Sequence, residues 1–390
     1  MATDFRLSSL GMTALLVAQF LSALADNAVL VAAIALAKAA SHPGQVPLLQ
    51  AAFVLAFILF APFLGPLADT HPKGRVMLAA NGLKLLGAGM MLAGVSPLFA
   101  YAIIGLGAAA YSPAKYGILS QMFTPAHLVK ANGLMEGSTI VAILLGVLLG
   151  GWLSDRSLNL AFGAVIACYG LAALANLLIP RLPAEHPVNM DLASQVQRFT
   201  ATTRTLFSDR DARFSLLGTS IFWGSGSTLR LMLFAWVPAV LGIMDNGTPA
   251  QLMGALSVGI VLGAGVAGAG VSLERVNRAL IGGLALGPLV LALSLLNNLG
   301  AAYVLMAAVG ACGGFFVVPL NALLQERGHR SVGAGQALAV QNFAENLAML
   351  LLVGAYSAAE AAGIPVTLSA AGFGALILAA MVALARTRRG

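Results

Sequence analysis

Six ionisable side chains stand inside long apolar runs of this 390-residue chain. They are Asp26, Lys84, Lys115, Glu136, Arg230 and Glu345. A charge at the centre of a bilayer costs about 2.5–3.5 kcal/mol on insertion scales, so such side chains are expected to face a watery cavity or a partner. The carboxylates could hold an ammonium group or a proton, and a guanidinium could hold a phosphate through its paired donors. The pattern predicts binding of a charged or zwitterionic molecule in apolar surroundings.

Polar neighbours recur at helical spacing around these charges, which is typical of helices that line a cavity. Gln19 and Ser22 share a stripe with Asp26, and Tyr111 lies one turn before Lys115. The candidate binding and gating residues are Asp26, Asn27, Tyr111, Lys115, Glu136, Trp223, Arg230, Gln341, Asn342 and Glu345.

Asp26 and Arg230 occupy matching depths in two of the apolar runs, 16 residues after Leu10 and 15 residues after Ser215. They could pair across a central cavity in one conformation and separate in another. The alternative is a permanent buried ion pair, although such pairs add little net stability.

The other intramembrane charges have open roles at this stage. Lys115 and Glu136 could instead brace the N-terminal half. Lys84 is interpreted as snorkelling or bracing rather than as binding a substrate.

The composition is that of a membrane protein. Hydrophobic residues make up 59% of the chain and charged residues 9%, against about 25% charged in soluble domains. The net charge of +7 is attributed to Lys and Arg in cytoplasmic loops rather than to nucleic-acid binding. Cys168 and Cys312 lie in apolar runs without ligand-like neighbours, so neither a metal nor a cofactor is predicted.

Apolar runs of about 20 residues predict twelve spanning helices in an all-α membrane protein. They cover residues 10–36, 47–68, 75–95, 97–122, 131–153, 158–180, 212–243, 250–271, 279–297, 300–325, 332–357 and 362–385. The first is interpreted as a span rather than a cleaved signal peptide. The polar stretch 182–211 then separates two six-helix bundles, 1–181 and 212–390.

Orientation follows from the basic residues. With a cytoplasmic N-terminus, sixteen of the 21 Lys and Arg residues fall in cytoplasmic segments, which predicts that both termini are cytoplasmic.

The two halves also resemble each other. "YSPAKYGILSQ" in the fourth span aligns with "FVVPLNALLQE" in the tenth, which matches Pro113 with Pro319. Two parallel six-helix repeats indicate a transporter in which one bundle rocks against the other.

The loop "GPLADTHPKGRVM" between the second and third spans combines a tight turn with opposite charges. Asp69 could cap the N-terminus of a neighbouring helix by charge–dipole attraction, and the expected neighbour is the eleventh span, near Ser331. Gly65, Asp69, Lys73 and Arg75 are therefore predicted to form a latch for one conformation. A plain anchoring loop is the alternative.

This loop resembles the signature of the major facilitator superfamily through Gly65, Leu67, Ala68, Asp69, Gly74 and Arg75, with two extra residues between Asp69 and Gly74. Within that superfamily, "QFLSALADNAVL", "GAAAYSPAKYGIL", "LVKANGLMEGSTI" and "GQALAVQNFAENLAML" resemble the bacterial lysophospholipid transporter family. The resemblance implies inward flipping of lysophospholipids across the bacterial inner membrane without ATP. It implies a functional partnership with an acyltransferase–acyl carrier protein synthetase, and a monomer is expected. It also implies that Asp26 and Arg230 form the polar centre that handles headgroup and gate.

Other functions are weighed against this one. A proton-driven exporter of amphiphiles or drugs with the same fold would use Asp26, Glu136 or Glu345 as its proton carrier. A membrane enzyme and an ATP-driven pump are disfavoured, because the chain has neither a metal-binding His-Glu-x-x-His motif nor a phosphate-binding Gly-x-x-x-x-Gly-Lys loop. A passive channel or scaffold is a further alternative, which saturable transport would exclude.

Overall fold

The computed structural model of the chain describes residues 9–39, 46–184, 192–245 and 247–389. These residues form long helices joined by short connections. The α-helices are α1 Leu10–Ala39, α2 Val46–Leu59, α3 Ala61–Thr70, α4 Lys73–Leu92, α5 Pro97–Met122, α6 Pro125–Arg156, α7 Leu158–Asn176, α8 Leu192–Ser208, α9 Arg210–Trp236, α10 Gly247–Gly270, α11 Ala279–Ala292, α12 Leu299–Arg330, α13 Ala334–Ala361 and α14 Val366–Arg389.

Ten helical segments of the described chain are long and apolar enough to cross a membrane, and eleven if the bent pair α2–α3 forms one span. That pair bends by 63° beside Pro62 in the first turn of α3, where proline lacks an amide donor and crowds the preceding turn. The remaining predicted span is α4, whose 20 residues reach about 30 Å. Arg75, Asn81 and Lys84 lower its hydropathy, so the count of twelve stays a prediction.

The helices expose large apolar side chains on their outer faces. Leu148, Ile281 and Val304 are 67%, 71% and 72% exposed. Hydrocarbon solvates such side chains, and continuous helices satisfy the backbone hydrogen bonds that lipid cannot.

The described residues divide into two compact units. The first comprises the described parts of Met1–Thr124, Ser138–Leu206 and Gln325–Phe343. The second comprises Pro125–Gly137 and the described parts of Phe207–Leu324 and Ala344–Gly390. The predicted bundle boundaries at 181 and 212 stay a prediction.

The core of the first unit forms where α1, α4, α5 and α7 pack together. Small residues dominate on α1, and Ile104, Phe162 and Tyr169 fill the space between the helices. Gly107 brings α5 close to α4, because a Cβ there would lie 2.8 Å from the Cγ of Lys84. This close packing brings α5 against the face of α4 that carries Lys84.

The second unit packs its helices through glycines as well. A Cβ at Gly287 of α11 would lie 2.6 Å from the Cβ of Leu378 on α14, and contacts of this closeness are typical of small residues between membrane helices. Pro319 lies inside α12, as Pro113 lies inside α5, which agrees with the alignment of the two halves.

Candidate functional site

The carboxylate of Asp26 lies between a cation and a phenol inside the first unit. Lys84 Nζ lies 2.7 Å from Asp26 Oδ2, and the Tyr169 hydroxyl donates to Asp26 Oδ1 at 2.8 Å. The three side chains come from α4, α1 and α7. Charge-assisted hydrogen bonds of this kind are about twice as strong as neutral ones, so they fix the orientation of the carboxylate.

The network continues along α1 and α4. Lys84 also donates to the Ser22 hydroxyl at 2.9 Å, and that hydroxyl donates to Asn81 Oδ1 at 2.7 Å. Lys84 Nζ lies 4.8 Å from the centre of the Tyr111 ring, close enough for a cation–π attraction. We call this set the Asp26 cluster, and its members are Ser22, Asp26, Asn81, Lys84, Tyr111 and Tyr169.

Helical spacing explains which side chains reach the cluster. Ser22 and Asp26 lie one turn apart on α1, and Asn81 and Lys84 lie three residues apart on α4. Each pair therefore shares one face of its helix. The tight approach of α5 to α4 then places Tyr111 beside the ammonium group.

Asp26 is the most exposed member of the Asp26 cluster. Its side chain is 18% exposed and that of Lys84 is 1% exposed, while Asn81, Tyr111 and Tyr169 are buried. Among the described residues, the Tyr111 hydroxyl and Asn81 Nδ2 have no hydrogen-bond partner. Buried donors without partners are uncommon in folded proteins, and here they leave hydrogen-bonding capacity beside a paired carboxylate.

Part of this arrangement was predictable from the sequence. Lys84 does not snorkel, because it is almost fully buried; it braces α4 against Asp26. Asn81 and Tyr169 were not among the residues predicted from the sequence. The spacing of Asn81 and Lys84 was a usable signal for the first, but nothing in the sequence places Tyr169 of α7 beside α1.

The predicted pairing of Asp26 with Arg230 stays a prediction. Arg230 is an exposed residue of α9 in the second unit. Trp223, seven residues before Arg230 on the same helix, packs its ring at 5.3 Å and 73° against Phe222.

The remaining candidates lie on several helices. The Asn27 amide donates to the Ala23 carbonyl at 2.8 Å, which ties it to its own helix. Lys115 Nζ lies 4.2 Å from the centre of the Tyr116 ring. Asn342 Nδ2 donates to the Ser112 hydroxyl at 3.0 Å, so α13 contacts α5 within the first unit.

Three further candidate residues are buried. Glu136 is 1% exposed, Gln341 5% and Glu345 8%. Burying the carboxylates of Glu136 and Glu345 requires hydrogen-bond donors that replace the lost water. Both residues are engaged in interactions.

Asp69 caps α13. Its Oδ1 accepts from the Gly335 amide at 2.7 Å and its Oδ2 accepts from the Gln336 amide at 2.9 Å. This is the helix N-terminus that the loop sequence predicted. Lys73 Nζ lies 3.3 Å from Asp69 Oδ1, and both side chains are buried. The Asp69 carboxylate therefore contacts both the partial positive charge at the N-terminus of α13 and the full positive charge of Lys73.

Glycines permit this contact. A Cβ at Gly65 would lie 2.8 Å from both the Ala339 Cβ and the Gln336 Cα. A Cβ at Gly335 would lie 2.6 Å from Asp69 Oδ1. Any larger residue at either position would push α3 and α13 apart, while the role of the contact as a conformational latch stays a prediction.

The candidate spanning helices and the buried charge cluster define an α-helical, multi-pass membrane protein with a polar cluster buried between its helices. A family model described as Major Facilitator Superfamily matches residues 15–353. The chain is 53% identical over 384 residues to proteins named lysophospholipid transporter LplT from Escherichia coli strains 536 and CFT073. The alignments cover 98% of this chain and 97% of each relative. The chain therefore belongs to the major facilitator superfamily and, within it, to the lysophospholipid transporter family.

Solved structures support the fold. The human organic anion transporter MFSD10 superimposes with a TM-score of 0.74 at 16% identity, covering 95% of this chain and 99% of that one. The transporter FucP in its outward conformation gives 0.74 at 16% identity, with 96% and 98% covered. At these identities the likeness shows the fold alone.

Proposed function

We propose that the protein moves lysophospholipids, such as lysophosphatidylethanolamine and lysophosphatidylglycerol, inward across the bacterial inner membrane for reacylation. The observation that carries this proposal is the 53% identity over 98% of the chain to proteins named as lysophospholipid transporters. Those relatives are transporters rather than enzymes.

The Asp26 cluster suits the headgroup of such a lipid. The accessible carboxylate of Asp26 accepts hydrogen bonds from an ammonium group or a glycerol hydroxyl. The Tyr111 hydroxyl and Asn81 Nδ2, which lack partners among the described residues, donate to the phosphate. Each such hydrogen bond to a charged group contributes about 1.5–3 kcal/mol.

The wider candidate set completes the proposed path. Arg230 binds the phosphate or pairs with Asp26 when no lipid is bound, and Lys115 offers a second cation. Trp223 contributes an apolar wall for the single acyl chain. Glu136 and Glu345 meet the ammonium group or brace their helices.

Alternating access supplies the movement. Twelve spans in two bundles, 1–181 and 212–390, rock about the central site, with both termini in the cytoplasm. The contact of Asp69 with the α13 N-terminus holds one conformation and breaks in the other. The lipid moves without ATP, because binding a headgroup and releasing it on the other side requires only that both states are accessible.

The transported lysolipid becomes the substrate of an acyltransferase–acyl carrier protein synthetase at the cytoplasmic face. The transporter itself acts as a monomer and needs neither a metal nor a cofactor. The partnership is functional: one protein delivers the lysolipid that the other reacylates.

The test is inward transfer of headgroup-labelled lysophosphatidylethanolamine into spheroplasts that lack the native transporter, with this chain supplied or withheld. Conversion to diacyl lipid by the cytoplasmic acyltransferase is the readout. We expect conversion only when the chain is present, and loss of most conversion in Asp26→Asn. Asp155→Asn, which changes an exposed carboxylate in the last turn of α6, is the matched control.

Absence of conversion with folded protein in the membrane would reject the proposal. Outward movement of amphiphiles that stops when the proton gradient collapses would instead establish the proton-coupled exporter.

A further inference from the structure

A second polar site lies away from the Asp26 cluster, between the N-terminus of α4 and the segment that follows α7. A cavity of about 130 Å³ opens there, and its lining includes Arg75, Asn176 and Arg181. A cavity of about 10–15 Å³ is enough to hold one water molecule. The cavity at the start of α4 is therefore large enough for a phosphate headgroup.

Asn176 is the unexplained residue of this cavity. It is 3% exposed, and neither its Nδ2 nor its Oδ1 has a hydrogen-bond partner among the described residues. An amide offers two donors and two acceptor positions, and leaving all of them unused in a buried position costs free energy. A ligand with both acceptor and donor groups would satisfy this side chain.

The mouth of the cavity is cationic. Arg75 and Arg181 are exposed and neither side chain has a carboxylate partner in the described parts of the chain. Two guanidinium groups match the geometry of phosphate oxygens. The helix α4 begins at Lys73 without a side-chain cap, so its N-terminal amides add partial positive charge.

The walls are fixed by packing. Ile179 lies over Gly74, at 3.5 Å from the position of a Cβ there, and a Cβ at Gly11 of α1 would contact Pro180 at 2.7 Å. Gln121 Nε2 donates to the Pro183 carbonyl at 3.4 Å. The backbone that carries Arg181 is therefore held from both sides, which is a property of a formed site.

An exposed apolar surface continues from the cavity. Leu177 lines it and is 61% exposed, and Leu178 beside it is 60% exposed. A free phosphate would make no use of these side chains, whereas a phospholipid would place its acyl region on them.

We propose that this cavity binds one anionic phospholipid of the phosphatidylglycerol type, with the phosphate between Arg75 and Arg181 and the headgroup hydroxyls on Asn176. Nδ2 of the amide donates to a phosphate oxygen, and Oδ1 accepts from a glycerol hydroxyl. The lipid is a resident of the membrane surface and is distinct from the lysolipid carried at the Asp26 cluster.

The experiment is native mass spectrometry of the full-length, delipidated protein, titrated with phosphatidylglycerol, phosphatidylcholine or inorganic phosphate. We expect one tightly bound phosphatidylglycerol, and about tenfold weaker binding in Arg75→Gln and in Arg181→Gln, because each change removes a charge-assisted contact. The matched controls are the single changes Arg275→Gln and Arg278→Gln, because both residues are exposed arginines outside the cavity.

Asn176→Leu keeps the arginines and tests the amide separately. We expect this variant to lose its preference for phosphatidylglycerol over phosphatidylcholine while still binding lipid. A melting temperature of the unmodified protein that rises with phosphatidylglycerol but not with phosphatidylcholine provides a second measurement that needs no variant.

Equal binding of the two lipids by the unmodified protein would overturn the proposal, as would equal phosphatidylglycerol binding by the cavity variants. Stabilisation by inorganic phosphate alone, with no effect of lipid, would assign the cavity to free phosphate and reject the lipid.

Discussion

Lys84 and Asp26 are 58 residues apart in the chain, yet their charged atoms lie 2.7 Å apart in the core of the first unit. The two opposite charges neutralise each other, and two further hydrogen bonds, from Tyr169 and to Ser22, hold the pair in place. This relationship gives the site a carboxylate that is oriented but still accessible.

Breaking this pair is expected to destabilise the fold. In Lys84→Met the Asp26 carboxylate keeps only the Tyr169 hydroxyl, and removing one partner of a buried ion pair costs about 3–5 kcal/mol. The melting temperature in detergent should fall clearly. In Lys84→Met with Asp26→Leu, most of that loss should be regained, although transport should be absent. An unchanged melting temperature in the single variant would show that the pair contributes no stability.

Variants of the two tyrosines in the Asp26 cluster should distinguish an effect on protein stability from an effect on lysolipid binding. Tyr169→Phe removes a donor to a carboxylate and is expected to cost about 1.5–3 kcal/mol. Tyr111→Phe removes a hydroxyl that has no partner among the described residues, so stability should change little while lysolipid binding weakens. Unfolding curves and a binding titration on the same samples check both. Equal destabilisation by the two changes would contradict the assignment.

The contact between α3 and α13 should open when Gly65 gains a methyl group. Gly65→Ala places a Cβ 2.8 Å from the Gln336 backbone, so the Asp69 cap on Gly335 and Gln336 should loosen. Hydrogen–deuterium exchange of the α13 N-terminus should accelerate. Gly82→Ala is the matched control, because a Cβ there meets nothing within 4 Å. Slow exchange in both variants would show that the cap tolerates the methyl group.

The stability that the helix cap at the start of α10 contributes should depend on pH. The backbone amide of Thr248, and then its hydroxyl, donate to Asp245 and hold the pKa of that exposed carboxyl below its ordinary value. A depressed carboxyl pKa gives stability that is complete above the unfolded value, about 3.9, and is lost as pH falls through the folded value. The melting-temperature difference between the unmodified protein and Asp245→Ala should therefore shrink below about pH 4.

An uncharged cap provides the comparison for that titration. Asn298 Oδ1 accepts from the Ala301 amide at 3.0 Å at the start of α12. The effect of Asn298→Ala should not depend on pH over the same range. A pH-independent effect of Asp245→Ala would mean that its charge makes no contribution.

Much of the arrangement could be read from the sequence, because it depends on local spacing. The 3.6-residue period places Ser22 with Asp26, and the carboxylate of Asp69 is suited to a helix N-terminus, although it lies in the last turn of α3 rather than in the predicted loop. The loop pattern therefore predicted that Asp69 meets the start of the eleventh span, and the structure has that contact.

The sequence by itself determined that this is a helical membrane protein with costly charges inside its spans, since hydropathy and periodicity are properties of consecutive residues. Only the tertiary structure decided which charge meets which. Lys84, interpreted from the sequence as snorkelling or bracing, is buried against Asp26, and Tyr169 and Asn81 complete the cluster. Helical spacing fixes which side chains share a face, whereas partners on different helices are set by how closely those helices pack, here through residues such as Gly107.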